Sequence, residues 1–225
     1  MQKNSSCRVK GKSEGFMANI FDLFDKIKSA SPAPAGPVTH LVVGLGNPGA
    51  QYENTRHNAG FLAIDRIAEQ AGIRIGTAKC KGLVGDGMLG GRHVLLLKPQ
   101  TYMNLSGDAV RAAVDFYHIP PENVIVLCDD VNFDVSHVRI RLKGSHGGHN
   151  GLKSIAACLG SDAYTRIKIG VGHKPHPDYD LADWVLGKFS REDLTKLEAV
   201  LPDISAAVTL LLEGKSEDAM MKYSH

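Results

Sequence analysis

The sequence predicts an α/β fold: a single three-layer domain in which a mixed, twisted β-sheet is flanked by helices. Two observations point to it. From Thr39 onward, short β-branched runs alternate with longer segments of helical periodicity, the pattern of a sheet covered on both faces. Two consecutive apolar runs, 82–89 and 93–98, meet around Gly90-Gly91 and read as a hairpin, which makes the sheet mixed rather than wholly parallel. A chain of 225 residues with 43% hydrophobic content is long enough to bury one sizeable core.

Residues 1–37 read as an N-terminal extension. The first sixteen are polar and basic without periodicity. Ile20, Phe21, Leu23, Phe24 and Ile27 then mark a short amphipathic helix, and Ser31 to Pro37 form a Pro/Ala linker that suits neither helix nor central strand. Met17 is an alternative start for the chain. The domain proper spans 38–225. Its strands are expected at 39–44, 82–89, 93–98, 123–128, 137–142 and 165–171, and its helices at 58–71, 106–117, 150–159, 181–186 and 191–213. In the last helix, Leu194, Leu197, Val200, Leu201, Ile204, Val208 and Leu211 recur at helical spacing and form a core-facing stripe.

Bulk composition excludes several classes. Cys7, Cys80, Cys128 and Cys158 lie far apart without paired spacing. That argues against a disulfide framework and for a reducing, cytoplasmic setting, with Cys128 and Cys158 as buried thiols in apolar runs. No run is long enough to span a membrane, and no charged-then-apolar leader precedes a cleavage site. The net charge of +2 does not decide for or against a nucleic-acid partner, so clustering matters. Arg139, Arg141 and Lys143 alternate along a predicted strand and share a face. Lys153, Arg166, Lys168 and Lys174 follow at irregular spacing.

The segment His40–Gly60 is the most informative. Gly44, Gly46 and Gly49 spell the G-x-G-x-x-G of dinucleotide sites. That reading needs a helix opening inside the motif and an acid ending the next strand. The interval after Gly49 is polar and aperiodic, the helical pattern begins only near Phe61, and Ile73-Arg74-Ile75 ends with no acid, so the reading fails.

A catalytic reading does better. His57 falls at a helix start, where the dipole disfavours imidazolium and keeps a neutral base. Asp129-Asp130 end the strand 123–128, where a carboxylate can orient an imidazole. Asn104 stands between strand 93–98 and its helix. A glycine run, Gly144 to Gly151, carries His146, His149 and Asn150 before helix 150–159. Side chains at several carboxyl strand ends converge on one cleft in such sheets. Ser145 lacks a nucleophile-elbow context, and His146, His149, His173 and His176 have no cysteine or carboxylate at metal-ligand spacing, so no metal site is expected.

Taken together, GLGNPGAQYENTRHNAG, KPQTYMNLSG, the Asp129-Asp130 strand end and GSHGGHNGLKSI, in this order, resemble the bacterial-type peptidyl-tRNA hydrolase family from about Thr39 to the C-terminus. The resemblance implies a monomeric, cofactor-free enzyme with no obligate protein partner. It would hydrolyse the ester joining a peptide to the 3′-terminal ribose of tRNA, freeing tRNA from stalled translation. Carried over by motif, His57 is the base, Asp129 the carboxylate that orients it, and Asn47 the active-site Asn near the scissile ester. Tyr52, Met103, Asn104 and Asn150 contact the peptide and the tRNA 3′ end, and Arg139, Arg141, Lys143 and Lys168 hold acceptor-stem phosphates. Asn47 and Asn150 both remain open as the oxyanion donor. The run 130–136 and Lys168, where the family often has Arg, depart from its pattern. A non-catalytic RNA-binding relative on the same fold is the alternative.

Overall fold

A computed structural model describes residues 36–224, and the expected helix near the N-terminus lies outside them. Among the described residues the strands are β1 (His40–Gly44), β2 (Thr77–Lys79), β3 (Gly82–Leu89), β4 (Arg92–Pro99), β5 (Val124–Asp130), β6 (Val138–Arg141) and β7 (Thr165–Gly170). The helices are α1 (Ala59–Ala71), α2 (Ser106–Tyr117), α3 (Asn150–Leu159), α4 (Leu181–Leu186), α5 (Arg191–Leu212) and α6 (Ser216–Tyr223). The strands form one sheet in the order β2-β3-β4-β1-β5-β7-β6. β1 is parallel to β4 and β5, and β5 is parallel to β7. Antiparallel strands close both edges, β2 and β3 on one side and β6 on the other.

The central strand is apolar on both faces because both are covered. Val42 packs with Leu96, Ile125 and the inner residues of α1, α5 and α6. Leu41 and Val43 point the other way, into a second cluster with Val126, Ala109 and Val110 of α2, and Leu152 and Ile155 of α3. This is the expected three-layer arrangement. The expected hairpin is β3–β4, where Leu89 pairs with Arg92 across Gly90 (φ 55°) and Gly91 (φ 70°). Both loop residues are left-handed, as a two-residue type I′ turn requires.

Two elements escape sequence patterning. β2 is three residues long with no apolar alternation. It joins β3 through Cys80 and Lys81, which adopt positive φ without the Gly or Asn that would announce such a turn. α6 buries only Ala219 and Tyr223, too few positions for a visible stripe. Cys128 is buried as expected, whereas Cys158 is partly exposed and turns its thiol toward Asp108.

Three features of this fold set the site. β5 continues past Cys128 through Asp129 and Asp130, so the two carboxylates leave opposite faces of a strand. Two short 3-10 turns, Ala50–Tyr52 and Arg56–Asn58, separate the glycine-rich turn from α1, so the helix N-terminus does not cradle those glycines. Finally, α1 begins against the ends of β1 and β5. A Cβ on Gly60 would lie 2.4 Å from the Leu127 carbonyl oxygen and 2.5 Å from the Leu45 nitrogen. Only a hydrogen there permits the approach that brings His57 to the end of β5.

Candidate active site

The turn after β1 is held by side-chain amides. The Asn47 N–H donates to Asn58 Oδ1 (2.8 Å) and the Asn58 Nδ2 returns a bond to the Asn47 carbonyl (3.0 Å). Asn47 Oδ1 accepts the Met103 N–H at 2.8 Å. A backbone N–H can only donate, so the amide orientation is settled: Oδ1 is occupied, and Nδ2 is the group left for the cleft that Asn47 lines. Asn58 is buried and was not singled out in the sequence, where it reads as part of a helix start.

At the end of β5, Asp129 is 4% exposed and one of its oxygens serves two imidazoles. His57 Nδ1 lies 2.8 Å from Oδ1, and His149 Nε2 lies 3.0 Å from the same atom. The ring centroids are 5.1 Å apart. Nδ1–H of His57 is therefore committed to the carboxylate, and Nε2 is its basic nitrogen. Burial is the largest influence on His57 and lowers its pKa, but the charge and hydrogen bond of Asp129 outweigh it and hold the imidazole above its ordinary 6.5. The helix-start argument for a disfavoured imidazolium is thus overturned, because the carboxylate dominates the local field. Burial pushes Asp129 up, yet its two imidazole partners hold it below the usual carboxylate range.

His57, Asp129 and His149 bring three ligand-type atoms within 4.8 Å of one another. The pairing of His57 with Asp129 is the expected one; that of His149 with Asp129 is not, since His149 has no carboxylate at metal-ligand spacing along the chain. This second pairing is one of space, across twenty residues and two elements, and no sequence spacing reveals it. The protons argue for a hydrogen-bond relay over a metal site. His149 Nδ1 accepts the N–H groups of Gly151 (3.1 Å) and Leu152 (3.3 Å), capping α3. The ring proton must then sit on Nε2, where it points at Asp129. A metal on Nε2 would drive that proton to Nδ1, against two backbone donors.

A cleft of about 580 Å³ opens over this centre. It gathers Asn47, Tyr52, His57, Met103, Asn104, Asp129, Asn150 and Lys168 from the expected set, and adds His149 and the α4 residues Leu181, Ala182, Val185 and Leu186. Met103 is buried, while Asn104 and Asn150 are exposed on the rim. Arg139, Arg141 and Lys143 do not line it. Arg139 and Arg141 share a face of β6, as expected, but the strand ends at Arg141 and Lys143 belongs to the following loop.

Lys168 is not a free surface cation. Its Nζ lies 2.8 Å from Asp130 Oδ2. Burial raises the Asp130 carboxyl, and hydrogen bonds from Lys168 and Asn132 more than offset this, leaving it below its ordinary value. Arg166 is fully buried and donates to the carbonyls of Gly144 and Asp162, with its guanidinium 4.3 Å over the Tyr164 ring. It fastens the glycine loop from beneath.

Fold and cleft together define a class: a single-domain α/β enzyme with a histidine–carboxylate pair at the carboxyl edge of its parallel strands. A family model described as peptidyl-tRNA hydrolase matches residues 41–225. Relatives named peptidyl-tRNA hydrolase include one from Lachnospira eligens, 49% identical over 185 residues that cover 82% of this chain and 99% of that protein. Another, from Lachnoclostridium phytofermentans, is 50% identical over 181 residues, covering 80% and 94%. A crystal structure of peptidyl-tRNA hydrolase from Acinetobacter baumannii matches with a TM-score of 0.77 at 34% identity, over 85% of this chain and 99% of that one. The chain belongs to the peptidyl-tRNA hydrolase family. No helix among its described residues is long and apolar enough to cross a membrane.

Proposed function

We propose that this chain hydrolyses the ester between a peptide, or an N-blocked aminoacyl group, and the 3′-terminal ribose of tRNA, with His57 as general base. The observation that carries the assignment of His57 is its 2.8 Å bond to buried Asp129, which leaves Nε2 as the ring's basic atom beside the cleft. An ester is an activated acyl group, so water deprotonated at Nε2 attacks its carbonyl carbon directly. The new C–O bond forms, the bond to the ribose oxygen breaks, and the imidazolium returns its proton to the departing 3′-hydroxyl. Asp129 holds the ring and stabilises the imidazolium while it exists.

Asn47 is the better oxyanion donor, because its occupied Oδ1 turns Nδ2–H to the cleft from a buried, rigid seat, whereas Asn150 stands exposed on the rim. Asn104 and Asn150 bind the peptide backbone and the tRNA 3′ end, with Tyr52 and Met103 packing against the substrate. Neutral carboxamides suit an acylated amino group and offer little to a free ammonium, which spares ordinary aminoacyl-tRNA. Arg139, Arg141 and Lys143 meet acceptor-stem phosphates without reading sequence, and Lys168 contacts the substrate from inside the cleft. The protein works as a cytoplasmic monomer without a cofactor.

The test compares N-acetyl-aminoacyl-tRNA with free aminoacyl-tRNA. Rapid turnover of the first with little of the second is expected. Equal rates would remove the selectivity, and binding without turnover would favour the RNA-binding alternative.

A further inference from the structure

The cleft wall formed by α4 is only six residues long, and within it only Val185 is buried. A helix this short has no stability of its own, so its position depends on what holds it. Leu181, Ala182, Val185 and Leu186 line the cleft, whereas Trp184 packs elsewhere. Its ring lies under the guanidinium of Arg56, with the Arg56 Cζ 3.6 Å from the ring centroid. The same side chain donates from Nη1 to the Trp184 carbonyl at 3.3 Å. Arg56 immediately precedes His57.

The two chain segments are also laced together by backbone. The Arg56 N–H donates to the Gly187 carbonyl (3.0 Å), the Phe189 N–H donates to the Asn54 carbonyl (3.0 Å), and Thr55 and Lys188 form an isolated antiparallel bridge. These bonds fix the chain leaving α4. The Arg56 side chain reaches α4 itself. The seat is close-fitting, since a Cβ on Gly187 would come within 2.9 Å of Nη1. On the far side, Trp184 Nε1 donates to the Gly172 carbonyl at 3.0 Å, so the indole is gripped between the catalytic segment and the loop that follows β7.

We propose that Arg56 is a positioning residue: its stacked guanidinium clamps the α4 wall to the segment carrying His57 and thereby sets the apolar side of the substrate cleft. The role of that wall in substrate binding rests on the hydrolase reading above; the clamp does not. A planar fork can stack on an indole and reach a carbonyl at once, which an ammonium cannot, so lysine should not replace it fully.

The test uses the full chain with Arg56→Ala, Arg56→Lys and Trp184→Leu. Hydrogen exchange read by mass spectrometry should show faster exchange over 181–189 in Arg56→Ala and Trp184→Leu, with β1 and β5 still protected. The KM for N-acetyl-aminoacyl-tRNA should rise about tenfold, the size of one good cation–aromatic contact, in Arg56→Ala, and less in Arg56→Lys. The apparent pKa of the kcat–pH profile should stay in place. Unchanged exchange at 181–189 in both Arg56→Ala and Trp184→Leu would overturn the clamp. Faster exchange with unchanged KM, or a kcat loss with a shifted pKa, would overturn its role in the cleft. A wild-type chain without turnover whose variants still loosen 181–189 would support the clamp and sink the hydrolase reading alone.

Discussion

At the end of β5, Asp129 is buried and grips two imidazoles through one oxygen. Two strands further out, at the edge of the same sheet, Arg141 is exposed and Arg139 is half-exposed beside Phe133. Both regions are rich in ionisable groups, yet their physics differs. Around Asp129 the carboxylate is buried, charges act at short range with little screening, and both imidazole N–H groups meet one of its oxygens. On β6 the charges face solvent and salt, so each acts weakly and over a distance set by the ionic strength. A cleft built the first way suits bond making. An edge built the second way suits holding a polyanion without reading it.

The strongest attempt to break that contrast is His57→Ala. Loss of the base should lower kcat by about 10⁴-fold while tRNA affinity, measured by gel shift, stays within a small factor. Undiminished turnover would refute the role of the pair.

Asp129→Asn comes next. Both histidines use a single carboxylate oxygen, so an amide can keep one acceptor in place while removing the charge. We expect kcat to fall about 10³-fold. The sign for pH follows from the direction of the shift. Asp129 holds His57 above its ordinary 6.5, and activity requires the neutral ring, so the acid limb of the wild-type profile lies above that value. Without the charge it should move to lower pH. An unmoved limb would show that Asp129 does not set the base.

Asn47→Ala should have a smaller effect on rate, about 10²-fold in kcat for the removal of one oxyanion donor. It also strands the buried Met103 N–H, so thermal unfolding should reveal a loss of about 1–3 kcal/mol.

The smallest effect belongs to the edge. Arg139→Ala with Arg141→Ala should raise KM, leave kcat nearly unchanged, and flatten the dependence of log affinity on log salt by about 0.7–0.9 for each phosphate no longer neutralised. A kcat loss at constant salt slope would mean that the edge does more than hold phosphate.

Much of the fold is legible in the sequence because it is local. The apolar runs of β1, β4, β5 and β7, the paired glycines of the β3–β4 hairpin and the stripe of α5 each announce themselves within a few residues. Resemblance of four motifs named His57, Asp129, Asn47, Asn104 and Asn150 as a set, and all five line one cleft. What sequence reasoning misses or misjudges is nonlocal or atypical: a turn at Cys80-Lys81 without turn residues, the partner of Lys168, and the weight of His149.

By itself, then, the sequence determined periodicity, turn chemistry and which strand ends carry polar groups, since those depend on neighbours along the chain. Tertiary structure alone decided which ring nitrogen of His57 and of His149 carries the proton, which way the Asn47 amide points, that Asn58 braces the turn, and that Arg56 reaches α4. These are properties of hydrogen bonds between segments up to 128 residues apart, and a donor's partner exists only once packing has brought it within reach.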